Sequence, residues 1–268
     1  MTKPNCQPEP TRYRHDTLYH AGTPWALAGL LRIFVILLSA CASGTNSSAG
    51  TGAIATTTHG TPVLAAPKIH LPTGPITYVA LGASDAVGVG SNQPATQGYV
   101  PLLFKRLPVG SHLVNLGISG IHLHGALTQE LPIALSTSPQ LITIWLVAND
   151  FVDGVTYSSY IRDLNTLLEQ LHTRTHAAIV MANLPDLSKV PFFANSTAAQ
   201  KAQMRATIEH WNAGTATLAA RYEVTLVDLF GQQSQLTAHP EYISGDGFHP
   251  SALGYAELAK LFWQAIQG

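Results

Sequence analysis

Beyond residue 41 the chain contains no cysteine, its two being Cys6 and Cys41. That absence rules out a disulfide or a thiolate-held metal across the remaining length, and it leaves the redox compartment of that part unmarked. Charge is scarce as well: Asp, Glu, Lys and Arg make up 11% of the 268 residues and sum to a formal −1. Nucleic-acid binding rests on clustered Lys and Arg against phosphate, so no nucleic-acid partner is expected. There is no internal repeat. The first apolar strand runs into GASDAVG, not Gly-x-Gly-x-x-Gly, which removes a dinucleotide-binding reading. Twelve histidines invite a metal site, and His122-Leu123-His124 has the look of a ligand pair. It lacks a carboxylate or third histidine at a convincing spacing, so a solvated loop or cleft rim is favoured and no metal or other cofactor is expected.

What is present begins with 46% hydrophobic residues, enough for one sizeable core and one main domain. The N-terminus carries Lys3, Arg12 and Arg14, then WALAGLLRIFVILLSAC over residues 25 to 41, the pattern of an export signal. Its end, Leu38-Ser39-Ala40-Cys41, resembles the lipobox of bacterial lipoproteins, in which the cysteine is acylated. The resemblance implies lipid attachment at Cys41, a membrane partner through that anchor and a place on the outer face of the cell membrane. An uncleaved anchor and plain secretion are the alternatives, although the stretch falls short of the roughly 20 apolar residues a span needs. Residues 42 to 74 are rich in Gly, Ser, Thr, Ala and Pro and read as a flexible tether. The folded domain is expected over residues 75 to 268.

Within that domain, five near-continuous apolar runs suit strands covered on both faces: 76 to 82, 112 to 117, 141 to 147, 176 to 182 and 224 to 229. Helical patterns fall between them, at about 98 to 107, 157 to 173 and 197 to 221, with a last one at about 251 to 266. In the last, Leu253, Leu258, Leu261, Phe262 and Ile266 form an apolar stripe behind Pro250. Strands alternating with helices predict an α/β fold, a three-layer α/β/α sandwich on a five-stranded parallel sheet of flavodoxin-like type. Ligands bind such sheets beyond the carboxyl ends of the strands.

Those ends are where the polar residues gather. The first strand stops at Gly82-Ala83-Ser84-Asp85, the second at Asn115-Leu116-Gly117 and the third at Ala148-Asn149-Asp150, while Asp246-Gly247-Phe248-His249 precedes the last helix. A serine hydroxyl needs a base to become a nucleophile, usually a histidine oriented by a carboxylate, and one short loop supplies His249 with Asp246. Over most of residues 76 to 255 these blocks resemble the SGNH, or GDSL-type, esterase and lipase superfamily. The resemblance implies Ser84, Asp246 and His249 as catalytic residues. It also implies an oxyanion hole made of the Ser84 and Gly117 backbone N–H groups and the Asn149 amide. Gly117 is expected to leave room for substrate to approach the backbone, and Gly88 and Gly90 to turn the chain away beneath Ser84.

Two positions depart from the family pattern: GASD stands where GDSL is usual, and Val147 takes a position that is commonly glycine. Asp85 is read as a first-turn helix charge, and Asp150 as an orienter of loops. Each residue also has a plainer reading: Ser84 as a helix cap, Asp246 and His249 as a turn with a surface histidine, Asn149 as a turn residue. Pro191-Phe192-Phe193 divides evenly between lining an acyl pocket and simple packing. Asn183-Leu184-Pro185-Asp186 is credited with shaping the cleft. The reading that results is a serine esterase acting on a small-molecule or polysaccharide ester, with short-chain acyl, acetylated carbohydrate or lipid esters in view. The alternative is a non-catalytic surface lipoprotein binding glycans or partners on the same scaffold.

Overall fold

The computed structural model describes residues 69 to 268. The export signal, Cys41 and almost all of the tether lie outside the described residues. Among the described residues no helix is long and apolar enough to cross a membrane.

Five strands form the sheet: β1 (Thr77–Gly82), β2 (His112–Asn115), β3 (Leu141–Trp145), β4 (Ala178–Ala182) and β5 (Thr225–Val227). Their order is β2-β1-β3-β4-β5, and every pairing is parallel. Among the described residues ten α-helices connect and cover them: α1 (Ser84–Val87), α2 (Pro94–Gln97), α3 (Tyr99–Phe104), α4 (Leu123–Gln129), α5 (Leu131–Ser136), α6 (Ala148–Val152), α7 (Tyr157–Arg174), α8 (Ala198–Arg221), α9 (Gln233–Ala238) and α10 (Ala252–Gln267). Helices α2, α3 and α10 pack together on one side of the sheet, and α4, α5, α7 and α8 on the other. This is the expected three-layer sandwich.

Burial explains the central strands. β3 is buried along its whole length, and β1 beyond its first residue, which is why both read as unbroken apolar runs. β2 is an edge strand and its two ends are exposed, so it is shorter than its apolar pattern suggested. The long helices begin where side chains can satisfy free N–H groups. Thr156 caps α7, Thr197 and Gln200 form a capping box on α8, and Ser251 caps α10.

One expectation for α10 is corrected. Its buried face is Gly254, Tyr255, Leu258, Ala259, Phe262 and Ile266, whereas Leu253 is largely exposed. With Ser251 as cap, Leu253 sits in the first turn on the outward side, beyond the reach of the α3 face that Phe262 stacks on through Tyr99.

Strand order places the site. The chain leaves β1 toward β2 and then crosses back over it to β3, so the carboxyl end of β1 is the point at which the winding reverses. Ser84 follows β1, Gly117 follows its neighbour β2, and Asn149 follows its other neighbour β3.

Candidate active site

Ser84 is the first residue of α1, and the helix cap is Ala83, which makes no side-chain cap bond. The hydroxyl of Ser84 is thus not spent on capping. Its Oγ lies 2.9 Å from Nε2 of His249, and Nδ1 of His249 lies 2.7 Å from Oδ2 of Asp246. The other carboxylate oxygen, Oδ1, accepts from the N–H of Phe248 (2.8 Å), the N–H of His249 (2.9 Å) and the hydroxyl of Ser244 (2.8 Å). Partial burial pulls the Asp246 carboxyl upward. The Phe248 N–H, the His249 ring, the Ser244 hydroxyl and the His249 N–H outweigh it and hold the group at about 2. An ionised Asp246 can only accept, so His249 carries its proton on Nδ1 and presents a bare Nε2 to the Ser84 O–H.

Close backbone approach brings the histidine loop over the serine. Gly90 has a φ of +97°, and a Cβ there would stand 2.5 Å from the Pro250 carbonyl and 3.0 Å from Cβ of His249. Only glycine satisfies both the left-handed backbone and the contact. The Tyr255 hydroxyl of α10 donates to the Val89 carbonyl at 2.6 Å and ties the same two segments.

The three N–H groups expected around a developing oxyanion are differently placed. The Ser84 N–H has no partner among the described residues. Asn149 donates one amide hydrogen to the Ile121 carbonyl at 2.9 Å, which fixes its rotamer and leaves the second hydrogen without a partner among the described residues. The Gly117 N–H is donated to Oδ1 of Asn115 at 3.1 Å, so it would have to be shared or released. The reason for glycine at 117 is also different from the one expected. A Cβ there would meet Cβ of Ala86 at 2.8 Å and the Ala83 carbonyl at 3.1 Å, so the glycine serves the packing of α1 against the loop after β2. Gly117→Ala is expected to destabilise the fold by about 1–3 kcal/mol, read as a lowered denaturant midpoint.

Asp85 is corrected too. It is not a solvated first-turn charge but a buried side chain, 7% exposed. Burial raises its carboxyl to about 6, against the opposing pull of His249. Asp150 accepts the Leu123 N–H at 2.9 Å and so anchors the start of α4. Val147 is buried behind β3 and precedes α6. His122 pairs with Asp153 at 2.8 Å and His124 with Asp163 at 3.1 Å. Asn183 is buried, bonding Asp228 and the Leu229 N–H, and so joins the ends of β4 and β5. Phe192 is 64% exposed and meets Phe248 edge to face at 5.7 Å; Phe248 in turn meets the His249 ring at 5.3 Å.

Glu130 went unnoticed in the sequence. It is fully buried at the junction of α4 and α5, and its Oε2 accepts the N–H of Gly82, the last residue of β1, at 3.0 Å. Oε1 has no partner. Burial, only partly opposed by the Gly82 hydrogen bond, pushes this carboxyl up to about 8, so at neutral pH it is largely protonated. No local pattern in Gln129-Glu130-Leu131 signals this.

Residues 80–257 match the GDSL-like lipase/acylhydrolase family. The chain belongs to that family, and this membership supports an ester hydrolase. The fold agrees with solved structures. TesA is 23% identical, covers 71% of this chain and 98% of its own, and superposes with a TM-score of 0.58. Axe2, an acetylxylan esterase from Geobacillus stearothermophilus, is 18% identical over 73% of this chain and 96% of its own, with a TM-score of 0.58. The extracellular lipase from Streptomyces rimosus is 20% identical over 70% of this chain and 99% of its own, with a TM-score of 0.55. No curated protein sequence matches the chain.

Proposed function

We propose that this chain is a serine esterase that cleaves carboxylic esters through an acyl-enzyme, with short-chain acyl groups on carbohydrate or lipid alcohols as its substrates. The observation that carries the reading is the continuous line from Ser84 Oγ through the His249 ring to an ionised Asp246. In this reading His249 Nε2 takes the serine proton as Oγ attacks the ester carbonyl, and the proton then leaves with the alcohol. Asp246 holds the imidazole in the required tautomer and stabilises the imidazolium that forms. Water repeats the cycle on the acyl-serine. The free Ser84 N–H and the unpartnered Asn149 hydrogen are the donors for the oxyanion, with Gly117 joining once Asn115 yields its hydrogen bond.

The substrate class is drawn from two sides. Phe192 offers an exposed ring one aromatic step from His249, a surface suited to an apolar or glycosyl face. The similar structures include proteins named as an acetylxylan esterase and an extracellular lipase. A screen of nitrophenyl esters of rising acyl length, alongside acetylated xylan, tests this; turnover confined to chains longer than about eight carbons would contradict it. Asn149→Ala is expected to lower kcat by about 100- to 1,000-fold with a smaller change in KM, measured by steady-state hydrolysis of nitrophenyl acetate.

The reading extends to the N-terminus. We propose that Cys41 is lipidated and that residues 42 to 74 tether the domain from residue 75 onward outside the cell membrane. Labelled palmitate should enter the full chain expressed in a bacterium and be absent from Cys41→Ser; equal labelling of both would remove the proposal.

A further inference from the structure

Asp85 directly follows Ser84 and stands where the GDSL pattern has leucine. It is buried, in the wall of a cavity of about 90 Å³ that Trp145, Leu187, Phe248, Pro250 and Leu258 also bound. Phe248 and Pro250 are the chain neighbours of His249, so the carboxylate and the loop that carries the histidine share one cavity. The close approach at Gly90 and the bond from Tyr255 to Val89 hold that loop against the segment after α1. The walls are largely apolar, and no Lys, Arg or His is among the residues that line the cavity. A charge in such surroundings is poorly screened, and its field acts on neighbouring groups more strongly than it would in water. The groups that face Asp85 are His249 and Asp246 from the histidine loop, Tyr99 from α3 and Tyr255 from α10. Burial pushes both tyrosine hydroxyls up, so they stay neutral. Glu257 of α10, which also lines the cavity, is paired with Lys260 at 3.0 Å. Among the groups facing Asp85, His249 is the one that can become a cation.

We propose that Asp85 is a positioning residue for the reaction, a second carboxylate that acts through His249 by stabilising the imidazolium formed when Ser84 gives up its proton. The inference rests on the esterase reading. Asp246 touches the ring at Nδ1 and fixes its tautomer, whereas Asp85 adds negative charge from the buried side of the loop. The proton moves from Oγ to Nε2 and on to the leaving alcohol, and Asp85 neither gains nor loses one in the step. A leucine at this position would fill the same wall without the charge, so the departure from GDSL adds an electrostatic effect that the usual residue lacks. The carboxyl has to be ionised to act. Burial lifts it to about 6, and the opposing pull of His249 and of its own backbone N–H exceeds the repulsion from Asp246. It is therefore an anion at pH 8 and largely neutral at pH 5.

The test is steady-state hydrolysis of nitrophenyl acetate by the full chain and by Asp85→Asn and Asp85→Leu, followed from pH 5 to pH 8.5. At pH 8 both variants are expected to show a kcat about tenfold below the parent with little change in KM, the effect of about one pKa unit of lost imidazolium stabilisation. The ratio of parent to variant should shrink toward one as pH falls through 6, because Asp85 is then protonated in the parent too. A merely structural residue would give a ratio that does not vary with pH. That result, or an undiminished kcat at pH 8, overturns the proposal. Asp85→Leu keeps the test available should Asp85→Asn not fold, since an apolar side chain suits these walls. NMR titration of the His249 ring supplies a readout without catalysis. Its midpoint is expected to fall by about half a pH unit or more in either variant, and an unchanged midpoint also overturns the proposal. A parent chain that hydrolyses no ester but shows the displaced midpoint would mean that the esterase reading has failed while the coupling of Asp85 to His249 stands.

Discussion

Replacing Ser84 by alanine is expected to lower kcat for nitrophenyl acetate by at least about 10,000-fold while leaving the circular dichroism spectrum and Tm close to those of the parent chain. The hydroxyl makes one hydrogen bond, to His249, and is not the cap of α1, so its removal costs the fold little. In the proposed mechanism it should cost the reaction nearly everything, because a bare Nε2 would have no proton to take and no oxygen would be left to hold the acyl group. His249→Ala should fall to a similar level. The double variant should be scarcely worse than either, since the two residues act on one proton. A multiplicative loss in the double variant would mean that they act separately and would contradict the shared line. The pH dependence has a definite sign as well. Asp246 is held at about 2, so its protonation cannot limit activity until the medium is near pH 3.

The second large effect concerns stability, and Glu130 carries it. Burial lifts its carboxyl from an ordinary 4.5 to about 8, a difference linked to about 5 kcal/mol at most. In the folded chain the proton is held more tightly than in the unfolded chain. The stabilisation is therefore fully present below pH 4.5, shrinks as pH rises and is gone above about pH 8. Urea midpoints of the parent chain should fall steadily between pH 5 and pH 9. In Glu130→Gln they should fall much less, because the amide can still accept the Gly82 N–H but never has to ionise. Asp85 and Asp150, whose carboxyls burial also raises, contribute in the same sense to both proteins, so the difference between the curves isolates Glu130. Parallel curves would show that the group stays hydrated when the domain folds.

The sheet could be read from the sequence because burial on both faces leaves a mark that survives projection onto one dimension. LITIW is apolar at four of its five positions since both layers of helices press on β3. The long helices α7 and α10 were legible for a related reason, their buried apolar residues recurring every three or four positions over several turns. The short helices α4 and α5 were not, and the sequence shows no helical pattern between residues 117 and 141. One or two turns hold too few residues to establish a period. Chemistry followed the same division. Ser84, Asn149, Asp246 and His249 stand in blocks with recognisable neighbours. Glu130 acts on Gly82 from 48 residues away, and no local pattern encodes such a contact. Asp85 was misread because a carboxylate beside a helix start is ordinarily solvated, and only the packing of the loop at Phe248 and Pro250 shows otherwise.

The most direct test of the central claim is covalent labelling with a fluorophosphonate, followed by peptide mapping. If His249 draws the proton from Ser84, the serine oxygen attacks phosphorus, fluoride departs, and a single adduct forms on the peptide containing Ser84 as esterase activity disappears in proportion. An adduct on another residue, or full esterase activity with Ser84 modified, would contradict the account.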